Sequence, residues 1–347
     1  MNKVVIAMSG GVDSSVAAAL LKAKGYEVIG VTMQIWEAKK DFGGCCSLSA
    51  FDDARSVCHK LKIPHYVLNF RKDFKEYVVK DFINEYKNGR TPNPCVRCNQ
   101  FLKFDFLLQK TKELGFDFLA TGHYAIIRKE KEIYKLLKGV DHKKDQSYFL
   151  YRMNQKSLSS TLFPVGEMIK DEVRKVGEQF SLPVAQKKES QEICFIEDQD
   201  YSSFLKERVP EYFVPGDILD KDGKVVGRHN GVLSYTIGQK KGIGSHKERK
   251  YVIKIDTKNN SIIIGNDSDL FQKSFEADNV SYTGEALSSP MEVDIKIRYN
   301  GSVSKGMIYP SGDKASFEFL SPQRAVTPGQ SVVFYKGDEV LGGALIL

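Results

Sequence analysis

Three thiols and one glycine turn are the residues in this sequence whose types and spacing can do chemistry. Cys95 and Cys98 form a C-x-x-C pair within NGRTPNPCVRCN, and Cys194 stands far downstream in ESQEICFIED. The turn is SGGVDSS, residues 9–15, set between the apolar runs 4–8 and 16–21. The first run is long enough for one buried strand and too short for a helix, whereas Asp13, Ser14 and Ser15 are natural helix starters. Strand, glycine turn and helix aim backbone N–H groups and a helix dipole at one point, which suits a phosphate. A Walker loop needs Lys-Ser/Thr after its second glycine, and here the chain runs Val12-Asp13-Ser14; G-x-G-x-x-G is absent too. The plain alternative is an ordinary strand-to-helix turn, but that would not call for paired glycines, an acid and two hydroxyls together.

The cysteines leave more than one chemistry open. Pro92 and Pro94 exclude regular helix from the loop 88–99 and hold their predecessors extended, so both thiols are expected just before a helix over 101–114. A thiol at a helix N-terminus gains from the dipole, and Arg97 adds a cation. The pair reads as a reactive thiol, a redox pair, two ligands of a metal or iron–sulfur site, or two packed loop residues. Cys194, between Ile193 and Phe195-Ile196, reads by itself as a core cysteine. Zinc would want a fourth ligand, and there is no second C-x-x-C.

The elements that must position these residues follow from pattern and length. With 347 residues, 41% apolar and 27% charged, the chain reads as a globular protein of two or three domains. It has no apolar stretch long enough to span a membrane, and it enters a strand without a basic or apolar leader. A cytosolic location is therefore expected, where six cysteines are not a disulfide framework. Cys45, Cys46 and Cys58 suggest no scheme. The net charge of +7 permits a polyanionic partner without proving one. Strands are predicted over 4–8, 27–34, 65–70 and 118–121, and helices over 49–62, 74–88 and 101–114. This alternation predicts an α/β class with a doubly wound parallel sheet, PP-loop ATPase or Rossmann-like, in residues 1–204. Ligands of such sheets bind beyond the strands' carboxyl ends, where the glycine turn, Met33 and Gly122-His123 would converge. From about 205 the texture turns to short β runs separated by Gly, Asn and Asp. A small central β domain is expected over 205–275 and a C-terminal β-barrel over 276–347.

SGGVDSS resembles the loop of N-type ATP pyrophosphatases, which transfer AMP to a carbonyl oxygen. The set AMSGGVDSS, GRTPNPCVRCN, LATGHYA, KKDQSYFLY, SQEICFI, GQKKGIG and IRYNG is similar, along essentially the whole chain, to bacterial-type tRNA-specific 2-thiouridylases. That resemblance implies an ATP-dependent enzyme that adenylates the 2-oxygen of a tRNA wobble uridine and replaces it with sulfur from a separate donor, such as a cysteine desulfurase relay or sulfide. It implies an ATP site of Ala7, Met8, Ser9, Gly10, Gly11, Val12, Asp13 and Ser14 with Met33 and Gly122, with Asp13 helping Mg²⁺. Cys194 would carry the sulfur as a persulfide, and Cys98 would assist or close a disulfide on it. Asn93, Pro94 and Cys95 would recognise the flipped uracil, while His123, Lys144, Asp145, Gln146, Arg298, Tyr299 and Gln330 match tRNA-contact positions. Many members have Asp where this chain has Cys95. The three thiols could thus instead ligate a [4Fe-4S] cluster whose open iron binds sulfide. Two other classes remain: an amide-forming, argininosuccinate-type pyrophosphatase, which needs no such thiols, and a non-catalytic tRNA-binding protein, which needs neither loop nor thiols.

Overall fold

A computed structural model of the chain describes residues 2–36, 48–187, 193–196, 200–246 and 248–347; Cys45 and Cys46 lie outside them. The N-terminal part contributes β1 (Lys3–Ala7), β2 (Glu27–Gln34), β3 (His65–Asn69), β4 (Phe118–Ala120), the hairpin β5 (Ala125–Glu130) and β6 (Ile133–Lys138), and β7 (Thr161–Leu162). Its helices are α1 (Val12–Ala23), α2 (Leu48–Lys60), α3 (Arg71–Phe74, Lys75–Val79 and Lys80–Lys87), α4 (Pro94–Arg97, Cys98–Leu107 and Leu108–Glu113), α5 (Lys170–Gln179) and α6 (Tyr201–Arg208). The central segments of α3 and α4 are π-helical.

Five parallel strands run in the order β3-β2-β1-β4-β7. Strand β1 is apolar without alternation because both its faces are covered. Val4 and Ile6 pack with Val16 and Ala17 of α1, Ala54 and Val57 of α2 and Val173 of α5, whereas Val5 packs with Phe104, Leu107 and Leu108 of α4 on the other face. The sheet is therefore doubly wound, as its sequence implied.

Next come β8 (Gly216–Leu219), β9 (Val225–His229), β10 (Tyr251–Asp256) and β11 (Ser261–Gly265), a sheet ordered β10-β11-β8-β9. Its apolar face, with Ile218, Val252, Ile262 and Ile264, merges with the core under α3 and the start of α4. The last part holds β12 (Phe271–Tyr282), β13 (Met291–Lys296), β14 (Ser304–Ser311), β15 (Lys314–Arg324), β16 (Ser331–Lys336) and β17 (Glu339–Ile346). These follow the order β12-β15-β14-β13-β16-β17, and β17 pairs back to β12 to close a six-stranded antiparallel barrel around Phe317, Phe319 and Phe334. Closure leaves no free edge within the ring. Strand β17 also pairs with β6, so the hairpin of the first domain extends the barrel's sheet. Tyr148 and Tyr151, fully buried, reach Ser331 from the first domain at 2.7 and 3.1 Å.

One expectation about α4 is corrected. The helix begins at Pro94, not near Phe101. Pro94 occupies the first helical position, where a missing N–H costs nothing and a fixed φ helps. Pro92 does hold the chain ahead of it out of a helix, and Asn93, the N-cap, is extended at φ −114° and ψ 93°.

Candidate active site

Gly11 caps α1 without offering a side chain, so the first N–H groups of that helix are left for a ligand. The Oγ of Ser14 accepts from the Ser9 amide at 3.2 Å and donates to the Gly11 carbonyl, and Ser15 also turns back onto Gly11. Gly10 has φ +70°, and a methyl group there would sit 2.4 Å from the Ala50 carbonyl oxygen. The turn thus needs glycine for conformation and for space. Met8 and Val12 are buried, so their side chains hold the loop and only their backbones face the turn. Gly122 follows β4, and a methyl there would come within 2.5 Å of the Ser14 amide nitrogen. Ala7 ends β1 and Met33 lies near the end of β2. These positions share one edge of the sheet, the carboxyl edge.

Asp13, in the first turn of α1, accepts 2.7 Å hydrogen bonds at Oδ1 from Tyr124 Oη and Lys170 Nζ. Lys187 reaches the Gly10 carbonyl at 3.3 Å while paired with Asp53. Neither lysine carried a signal in the sequence, because a basic residue is ordinarily solvated surface. Lys170 is 8% exposed.

The thiols sit on two supports. Cys95 is exposed in the first turn of α4, and Cys98 opens its π-helical stretch, half-buried. Cys194 is anchored by its neighbour Phe195, whose ring lies 5.1–5.9 Å from those of Trp36, Phe74, Phe82 and Phe204. Cys98 and Cys194 pack against this same apolar cluster, together with Met33 and Trp36 from beyond β2. Arg97 also has a structural contact. Its guanidinium holds Asp81 through two bonds, 2.8 and 3.2 Å, and pins α4 to α3. Among the described residues no three His, Cys, Asp or Glu side chains are grouped to hold a metal. Cys95, Cys98 and Cys194 are thus not gathered around a single ion.

The positions expected at tRNA fall into different places. His123 is buried among Phe104 and Phe163, its Nδ1 2.7 Å from Thr121 Oγ1 and its Nε2 3.4 Å from Lys103 Nζ. Burial, and then the Lys103 charge, push its imidazole well below the ordinary 6.5. Asp145 is buried with its carboxylate taken by Gly139 N, Ser147 N and Ser147 Oγ, and Gln146 accepts from the Tyr124 amide. These side chains shape the turn next to the half-buried Lys144. Arg298 donates to the Arg324 carbonyl, and Tyr299 lies 4.4 Å from the Phe149 ring. Gln330 donates to the Thr91 carbonyl at 2.8 Å, which ties the barrel to the loop bearing Asn93 and Pro94.

The family model described as "tRNA methyl transferase HUP domain" matches residues 2–198. Those described as "tRNA methyl transferase PRC-barrel domain" and "Aminomethyltransferase beta-barrel domain" match 202–266 and 272–346. The chain is 48% identical over 354 residues to a tRNA-specific 2-thiouridylase, MnmA, of Acetivibrio thermocellus, covering 99% of each chain. It is 50% identical over 357 residues to MnmA 1 of Caldanaerobacter subterraneus, covering 99% of this chain and 98% of that one. The chain belongs to the tRNA-specific 2-thiouridylase family. A solved 4-thiouridine synthetase–RNA complex with bound ATP aligns with 60% of this chain and 51% of its own, at 16% identity and a TM-score of 0.37, too distant to argue from. The matches to 2-thiouridylases extend from the glycine turn through both cysteine segments to the end of the barrel. No described helix of this family member is long and apolar enough to cross a membrane.

Proposed function

We propose that the chain is a tRNA 2-thiouridylase that uses ATP to adenylate the 2-oxygen of the wobble uridine and then replaces that oxygen with sulfur. The observation that carries this reading is the shared seat of Cys98 and Cys194. Far apart in sequence, they pack on one apolar cluster that includes Met33, beside the edge that bears the glycine turn. An amide-forming pyrophosphatase of the same fold would leave those thiols without a task.

In the first step the uridine 2-oxygen bonds to the α-phosphorus of ATP, pyrophosphate departs with the bonding pair, and N3 loses its proton. The first-turn amides of α1 hold phosphate. The Asp13 carboxylate, in the first turn of α1, fits Mg²⁺, a hard cation that would neutralise phosphate charge there. In the second step a Cys194 persulfide attacks C2 through its terminal sulfur and AMP leaves. Cys98 thiolate then attacks the Cys194 sulfur, which releases 2-thiouridine and leaves a Cys98–Cys194 disulfide; the persulfide sulfur is reduced as two thiols are oxidised. Reaching the 2-oxygen requires the base to be splayed from the anticodon loop. Asn93, Pro94 and Cys95, at the start of α4, would receive that base, and Lys144, Arg298 and Tyr299 would contact the surrounding tRNA. The sulfur comes from a separate donor. The persulfide route is preferred to a cluster because Cys95 is exposed while its two companions pack on the apolar seat.

Pyrophosphate exchange into ATP, measured with and without unmodified tRNA, tests this directly. Exchange that depends on tRNA is expected, with 2-thiouridine in the nucleoside digest once a sulfur donor is added. Cys194→Ala should keep exchange and lose thiolation by at least about 10³-fold, since the nucleophile is gone. Thiolation by that variant at the normal rate would refute the assignment.

A further inference from the structure

Lys103 is a cation that the reaction just described leaves unused. It lies in the π-helical part of α4, five residues after Cys98. A π-helix bonds residues five apart, so Lys103 falls one turn from Cys98 on nearly the same face, whereas an α-helix would rotate it well away. Its Nζ lies 3.4 Å from His123 Nε2. His123 follows Gly122, the residue pressed on the Ser14 amide of the phosphate turn. The half-buried ammonium therefore stands between the thiol-bearing face and the nucleotide loop. Among the described residues no carboxylate pairs with it, although Lys170 and Lys187, near this same edge, each have one. An ammonium has three donors, and His123 takes one.

We propose that Lys103 is a catalytic residue that donates to the α-phosphate in both steps, with His123 as the residue that positions it. The proposal rests on the adenylation reading above. The α-phosphate is the electrophile in the first step and part of the leaving group in the second. Negative charge grows on its oxygens in each, so one ammonium placed there serves both without moving a proton. His123 suits the supporting task because a neutral ring accepts at Nε2 while Nδ1–H donates to Thr121 Oγ1. Its burial keeps it neutral, so it does not repel the ammonium. This gives His123 a role behind the site rather than on the surface of the tRNA.

The test uses the full-length enzyme with unmodified tRNA and ATP. Lys103→Gln and Lys103→Met are expected to lower tRNA-dependent pyrophosphate exchange at saturation by about 10²–10³-fold, the usual loss when one such donor is removed. Affinities for ATP and tRNA should change less than about threefold, and added ethylamine should restore part of the rate to Lys103→Ala. His123→Gln, whose amide oxygen still accepts, should keep more of the maximal rate than His123→Leu. Exchange within about threefold of wild type in the folded Lys103 variants overturns the proposal, as does a loss confined to tRNA affinity. Equal losses in the two His123 variants overturn the positioning role. Failure of the wild type itself to exchange would instead refute the adenylation reading.

Discussion

Cys58 and Cys95 show how far one residue type can be driven apart by its setting. Cys58 is buried beside β2, and burial pushes its thiol up to about 11. At pH 8 only about one molecule in a thousand would carry that thiolate. Cys95 is exposed in the first turn of α4, where a reagent can reach it. Iodoacetamide at pH 8, followed by peptide mass spectrometry, should label Cys95 at least about 100-fold faster than Cys58. His123 gives a second expectation at this scale. Its folded pKa lies below its unfolded 6.5, so below that value the unfolded chain binds the proton more readily and stability is lost as pH falls. The melting temperature of the wild type should therefore drop relative to His123→Gln between about pH 7 and about pH 5.5. The glycine turn and the thiols were legible in the sequence because their types and spacing are unusual. Lys103 and Lys170 were not, since nothing near a lysine in sequence tells whether its ammonium will meet an imidazole or an aspartate across the fold.

At the scale of elements, the site depends on close approaches that only glycine permits. Gly122→Ala places a methyl 2.5 Å from the Ser14 nitrogen, so the strand end or the phosphate loop must shift. We expect a loss of stability of about 1–3 kcal/mol and a larger loss of ATP affinity, read by thermal denaturation and equilibrium dialysis. Gly329, at φ +86°, lies where the barrel meets the loop before α4, and a methyl group on it would sit within 2.9 Å of Arg90 Cβ and Thr91 N. Gly329→Ala should leave tRNA-independent ATP binding unchanged while lowering thiolation, because it displaces the loop and not the glycine turn. Periodicity located β2 to the residue, since an apolar run bounded by turn residues carries its own limits. The start of α4 was misplaced because proline was weighed as a helix breaker rather than as a first-turn residue. The π-helical register of that helix has no sequence period that would announce it, and it is what brings Lys103 round toward Cys98.

For the whole molecule, the barrel acts as a second wall for the catalytic domain. Strand β17 pairs with β6, Ser331 meets Tyr148 and Tyr151, and Gln330 holds the Thr91 carbonyl. None of this interlock was readable from strand spacing, because the pairing partners lie some two hundred residues apart and nothing local specifies them. With a net charge of +7, tRNA affinity should fall steeply, by roughly tenfold or more between about 50 and about 200 mM salt, while ATP affinity changes far less. The central claim is that the thiols of α4 and of the Phe195-anchored segment act on one activated base. A single turnover of persulfide-loaded enzyme with ATP and unmodified tRNA, quenched with an alkylating agent and analysed by mass spectrometry of both nucleosides and peptides, tests it most directly. One Cys98–Cys194 disulfide is expected for each 2-thiouridine formed. Full yield of 2-thiouridine with both thiols still open to alkylation would contradict it.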